Sequence, residues 1–406
     1  MGRSVNSIRP QTALPLAAAD MVPNYARVLG IGQDSRAIEP CLPLGCAFSL
    51  ADSLPGETDA DLLVLLDEQT PEISDLAQAA RRLGKPIVCA RPEAEAAETL
   101  AEAMHAAGFR LQCSQPVAPA ARLSKWVPAP AASADTEGPG KRVLVMSYCN
   151  MANFGDRLGY HVLNGVLPAD AVVTYGTIRP WHVPDQDYDL LILGIGNSLI
   201  AGDACLPELA DLLDRVPKAI GIFGTQYREQ FAHPTAAAAL DRILGKLTTW
   251  WARYEDDLLA FGRGRGNVRH LGDWLISAFP MATPTSDKGL TIPPDIIRQE
   301  NPLDRTIQQI QSYRAVSSAR LHTLLCALTS ADHVAYQEQK IDDGGDLVSG
   351  KFRSLLLDIF GRTFPEDELF AVDRAAVVRY KRRVDANIAD LRTELDALLG
   401  SAPIDR

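Results

Sequence analysis

No two of the seven cysteines stand as a C-x-x-C pair, and their number is odd. That excludes a disulfide framework or a thiolate zinc site as the organising device, and a reducing compartment is expected. Cys41, Cys46, Cys89, Cys113, Cys149, Cys205 and Cys326 read as small core hydrophobes. Long apolar runs are missing too: none reaches the roughly 18–20 residues that cross a bilayer. The opening "MGRSVNSIRPQTALPLAAADMV" is broken by Pro15 and Asp20, so no signal peptide is expected. Asn6 stands where a myristoylation pattern requires Ser or Thr. Excess basic charge is absent as well. The net charge is −11 and the pI about 5.2, which argues against general nucleic-acid binding but permits a local basic pocket. Nor is there a complete G-x-G-x-x-G. "GIGQDS" has Ser35 in the third glycine place and reads first as a structural turn, second as a ligand loop.

What is present is a chain of 406 residues, too long for one ordinary core, with 47% hydrophobic and 22% charged residues. Residues 1–115 alternate strand and helix patterns. "ARVLGIG" (26–32), "DLLVLLD" (61–67) and "KPIVCA" (85–90) read as strands. A helix is expected over 70–84 and another over 93–109, with "FRLQCS" as a last strand. This predicts a small Rossmann-like α/β domain. Residues 116–140, rich in Pro, Ala and Gly, read as a linker. From "KRVLVMSY" (141–148) onward, apolar strands again alternate with helices. The pattern divides into 141–280 and 281–365, and 366–406 hold a long amphipathic helix. Arg374, Arg379, Lys381, Arg382 and Arg383 crowd its first half. They form either a solvated face or a surface for substrate or anionic membrane.

Candidate chemistry collects at the C-terminal ends of expected strands, where open parallel sheets bind ligands. In "NFGDRLGYH", Gly155 permits a sharp turn. Asp156 either caps the following helix or aims a carboxylate into a cleft, and Asn153 shapes the loop. In "GIGNS", Gly194 and Gly196 let backbone N–H groups of the loop, with Asn197 and Ser198, approach an anion or sugar. In "GTQYR", Gln226 and Arg228 are within reach of a ligand. Arg253 in "WWARYED" needs an anionic partner, either Asp256 or Asp257 close by or a ligand. "HLGDW" brings Asp273 to the next strand end. The stretch "AVSSARLHTLLCAL" (315–328) ends an extended approach in Arg320 and His322, just before an apolar helix. Guanidinium, imidazole and a helix N-terminus together suit a small, multiply charged anion.

These elements occur in one order: "NFGDRL", a glycine-rich strand end, an arginine after "TTWWA", "LGD", then "SSARLHTLLCA" followed by "VAYQEQK". In that order the chain resembles the polysaccharide pyruvyl transferases over about residues 141–361. It departs from them at Thr225-Gln226, at Tyr254 after the arginine, and at Ser330-Ala331-Asp332. The resemblance implies a GT-B-like pair of Rossmann-type halves. It also implies transfer of a pyruvyl group from phosphoenolpyruvate to sugar hydroxyls of a polysaccharide or its lipid-linked precursor, with a ketal formed and phosphate released. His322 and Asp156 are then the expected catalytic groups. Arg320, Arg253, Asn153, Gly155, Gly194, Gly196, Asn197, Ser198 and Gln226 are the expected donor-binding ones. No metal or cofactor is called for beyond the donor substrate. The acceptor is a sugar or lipid-linked oligosaccharide, and the location is cytoplasmic, at or near the inner membrane surface. Two alternatives stand beside this: a glycosyltransferase using a sugar nucleotide, and a non-catalytic sugar- or anion-binding protein.

Overall fold

The computed structural model describes residues 18, 21, 26–42, 46–66, 73–92, 97–118, 121–128, 141–148, 153–168, 171–196, 198–292, 303–340 and 347–400. It is a mixed α/β structure with mostly parallel strands. None of the described helices is long and apolar enough to cross a membrane. The chain divides into two compact units, one holding 1–142, 169–176 and 300–306, the other 143–168, 177–299 and 307–406.

In the first unit, the apolar runs form β1 (Arg27–Ile31), β2 (Ala47–Ala51), β3 (Leu62–Leu65) and β4 (Ile87–Pro92). β1 pairs in parallel with β2 and β3, and β3 with β4. The helices Ile73–Leu83 and Ala97–Ala106 fall where the 3.6-residue pattern puts them. The start expected at Thr70-Pro71 lies outside the described residues. The "GIGQDS" turn is structural. Gly32 takes φ 79, and buried Ser35 donates from Oγ to the Ile31 carbonyl (2.6 Å) and accepts from the Leu66 N–H (3.1 Å). A hydroxyl that ties the turn to β3 occupies the place a phosphate loop leaves to glycine.

The linker expected over 116–140 is corrected over its first part. β5 (Phe109–Ala118) and β6 (Ala121–Pro128) form an antiparallel hairpin, and β6 also pairs with β4. Leu123 and Trp126 are buried there. Pro and Ala masked a strand whose apolar anchors are few. Residues 129–140 lie outside the described residues. β8 (Val172–Thr177) pairs with β5 through Cys113↔Val173.

In the second unit, β7 (Arg142–Ser147), β9 (Leu190–Leu193), β11 (Ala219–Thr225), β12 (Thr249–Ala252) and β13 (Val268–His270) make a parallel sheet in the order β13-β12-β11-β9-β7. The short β10 (Ser198–Leu199) pairs with β11. The strands are apolar on both faces because helices cover both. Trp250 stacks on Phe223 at 5.4 Å inside this core. A smaller sheet holds β14 (Ser286–Ile292), β15 (Tyr313–Ser318), β16 (His333–Tyr336) and β17 (Phe370–Ala371), parallel except for β17. The stretches expected as two separate halves, with the C-terminal helix, fall in this one unit.

That helix runs over Arg374–Leu399, not from 366. Residues 370–371 instead pair with β16, and the Asp373 carboxylate accepts the Ala376 N–H at 3.0 Å to start the helix. Val377, Tyr380, Val384, Ile388, Leu391 and Leu395 form its buried stripe. Three of the five basic residues are committed to backbone carbonyls rather than to a free basic face. Arg374 donates to Ser330 (2.7 Å) and Ala282 (2.6 Å). Lys381 donates to Ile276 and Ser277 (3.0 and 3.1 Å), and Arg383 to Asp358 (3.0 Å).

Candidate anion-binding site

Both sheets of the second unit send the C-terminal ends of parallel strands to one place. β7 leads to Asn153, which caps the helix Phe154–Val166. Its Oδ1 accepts the Gly155 N–H at 2.9 Å. Asp156 is therefore the third residue of the helix and not its cap. Gly155 has no unusual φ, so the expected sharp turn is not its reason. A methyl on Gly155 would overlap the His322 ring, whose Nδ1 is the nearest atom. The glycine makes room for an imidazole.

β15 delivers that imidazole. Arg320 is extended (φ −117, ψ 120) and caps the helix Leu321–Leu328 without a side-chain capping bond. The Ser318 hydroxyl accepts its N–H at 3.0 Å. His322 lies in the first helical turn rather than on the extended segment, with 18% of its side chain exposed.

β12 ends in Arg253, which is buried. The Asp256/Asp257 pairing considered for it is not what forms. Its Nε donates to Asp273 Oδ2 at 3.0 Å and one terminal nitrogen makes an ion pair with the same oxygen. The other terminal nitrogen bonds the Gly196 carbonyl. The Asp273-bonded nitrogen also lies 2.5 Å from His322 Nε2. With every edge of its fork occupied, Arg253 is a scaffold for the site and not a free clamp. Asp257 belongs elsewhere: it accepts from Thr225 Oγ1 (2.5 Å) and from Arg228 (2.9 Å). Arg228 is thus internal too.

One residue was missed. Lys351 opens the helix Lys351–Phe360 and donates to Gln339 Oε1 at 2.5 Å. Gln339 also donates to the Ala319 carbonyl (2.9 Å), tying Lys351 to the Arg320 turn. Glu338 steadies the loop by accepting from Ser349 Oγ (2.6 Å) and the Arg353 N–H (3.0 Å). The available signal was a broken rule: a cation at the positive end of a helix is disfavoured.

Electrostatics follow from this crowding. Burial first, then Arg253 and Lys351, hold His322 well below the ordinary imidazole range, so the ring is neutral near pH 7. Burial pushes the Asp156 carboxyl up to about 7, against the pull of Lys351, Arg253 and Arg320. Burial and the Arg253 charge lower Lys351 to about 7. Three cations, Lys351, Arg253 and Arg320, thus act on one buried carboxyl.

Of the expected residues, Asn153, Gly155, Asp156, Gly196, Arg253, Arg320 and His322 come together. Gly194 (φ 84) instead lets β9 approach β11, since a Cβ there would meet the Ile222 carbonyl. Ser198 is buried in β10 opposite Gly224. The Gln226 N–H closes on the Leu199 carbonyl at 3.2 Å. Asn197 lies outside the described residues.

Fold and site define an α/β protein with a cation-rich centre at the strand ends of two parallel sheets. No protein-family model matches the chain, and no curated protein matches it.

Proposed function

We propose that this site binds phosphoenolpyruvate and transfers its pyruvyl group to two hydroxyls of a sugar, in a polysaccharide or its lipid-linked precursor. The sheets β7–β13 and β14–β17 are read as the two halves of a GT-B-like pair. The observation that carries the reading is the convergence of Arg320, Lys351 and the Arg253–His322 pair on Asp156. Phosphoenolpyruvate concentrates a phosphate and a carboxylate on three carbons. Such an anion needs several donors close together, some in a forked arrangement. A bound anion also restores the charge of Lys351, so binding and site electrostatics reinforce each other.

In the reaction C3 of the donor takes a proton and becomes a methyl, one hydroxyl oxygen bonds to C2, and a second hydroxyl displaces phosphate. Asp156, with a carboxyl near 7, is suited to deliver the C3 proton and to accept one from an attacking hydroxyl. Neutral His322 is suited to donate a hydrogen bond to the anion. Arg320 and Lys351 hold the phosphate and carboxylate.

The test is phosphate release from phosphoenolpyruvate against a panel of lipid-linked and nitrophenyl sugars. Release that depends on an acceptor and is lost in Arg320→Ala supports the reading. Stabilisation by UDP or GDP but not by phosphoenolpyruvate would instead select the sugar-nucleotide alternative. A response to glycans with no phosphate released would select a binding protein.

A further inference from the structure

We propose that Asp273 and Tyr380 are positioning residues that, through Arg253, fix which nitrogen of His322 bears the proton. This deepens the donor-site reading and rests on it for its catalytic consequence. A guanidinium has donors only, so the Arg253 nitrogen 2.5 Å from His322 Nε2 must donate to it. Nε2 is therefore the unprotonated nitrogen and Nδ1 carries the hydrogen. An imidazolium would set N–H against N–H.

The arrangement persists only if Arg253 cannot turn. Its Nε and one terminal nitrogen go to Asp273 and the other terminal nitrogen to Gly196. Asp273 is fully buried and is fixed in turn. Its backbone N–H donates to the Tyr380 hydroxyl at 2.6 Å, and its Oδ1 receives the Leu275 N–H at 3.4 Å. Gly272, at φ 84, has no room for a Cβ because Val384 and Tyr380 lie against it. The C-terminal helix thereby sets the register of the Asp273 turn. A chain of direct contacts runs from Tyr380 through Asp273 and Arg253 to the ring, which ends with Nδ1 nearest Gly155 at a helix mouth. Lys351 and Arg253 are the cations that depress the ring's protonation, and Asp273, 3.8 Å from Nε2, is the anion. His322 becomes a permanent donor to a bound anion, and proton transfer falls to Asp156.

The experiment is long-range proton–nitrogen correlation NMR on the full chain with labelled histidine, assigned with His322→Asn. His322 should show a protonated Nδ1 and a bare Nε2, without titrating near its ordinary value. Asp273→Asn should free Nε2, so that the ring titrates nearer its ordinary value and populates the Nε2–H form. A purely electrostatic role would lower its protonation further, since an anion is removed. Tyr380→Phe, which removes a single hydroxyl, carries the test if Asp273→Asn does not fold. It should let Nε2–H appear and raise the phosphoenolpyruvate KM roughly tenfold with kcat largely retained, because the lost contact is one to the bound anion. A protonated Nε2 in the unaltered protein, or His322 nitrogen signals unchanged in both variants, would overturn the proposal. The NMR result needs no substrate, so a correct tautomer in a protein that ignores phosphoenolpyruvate would sink the functional reading and leave this one standing.

Discussion

The His322 ring occupies the space that a side chain at position 155 would need, so the first turns of the helices Phe154–Val166 and Leu321–Leu328 meet at a glycine. The two residues lie far apart in sequence, and neither makes sense alone. Gly155→Ala is expected to push the ring or the helix end aside, at the roughly 1–3 kcal/mol typical of overpacking. Because the displaced group is the site itself, phosphate release should fall far more than stability, by about 100-fold or more. Parallel kinetics and denaturant unfolding check this.

Lys351 sits in unfavourable company, beside Arg253 and Arg320 and at the positive end of its own helix. Lys351→Met should therefore raise the thermal midpoint while weakening donor binding at least tenfold. A gain of about 1 kcal/mol corresponds to roughly 2–4 °C for a unit of this size. Scanning calorimetry with and without phosphoenolpyruvate separates the two effects.

Donor affinity should depend steeply on pH. As pH rises through about 7, Lys351 loses its positive charge and Asp156 gains a negative one, so both changes act against an anion. Phosphoenolpyruvate binding should weaken across the range from about pH 6 to 8, with up to two protons taken up on binding. Asp156→Asn should remove one of them. Calorimetric titration in buffers of different ionisation enthalpy counts the protons, and a flat profile would remove Asp156 and Lys351 from the donor site.

Arg228 has a structural job, pairing with the fully buried Asp257. Arg228→Met should leave an uncompensated interior carboxylate and cost about 3 kcal/mol or more. Urea unfolding measures the loss. Protein that remains folded should still bind phosphoenolpyruvate, because among the described residues Arg228 reaches the donor cluster only through Ser354 on the Lys351 helix and through the Tyr254 ring.

Much of this was legible from local pattern. Buried parallel strands are continuous apolar runs, so "DLLILGIG", "KAIGIFGTQ" and "TTWWAR" marked both the sheet and its ligand-facing edge. Arg253 stands out for that reason, whereas Asp156, Arg320 and His322 stand out from the short stretches "NFGD" and "SSARLH". Pairing across strands was not legible. In the sequence Arg253 has acids three and four residues away, whereas its partner Asp273 comes from the end of the neighbouring strand. Gly155 reads as a turn residue in the sequence because only the tertiary structure brings His322 against it. Lys351 escaped because no strand leads directly into it. The β6 strand escaped because its composition is that of a linker.

The most direct measurement is calorimetric titration of phosphoenolpyruvate into the unaltered protein and into Arg320→Ala and Lys351→Met, near pH 6.5. Saturable one-to-one binding that both substitutions weaken by at least tenfold is the expected result. Absence of binding at millimolar donor, or binding indifferent to both residues, would contradict the account.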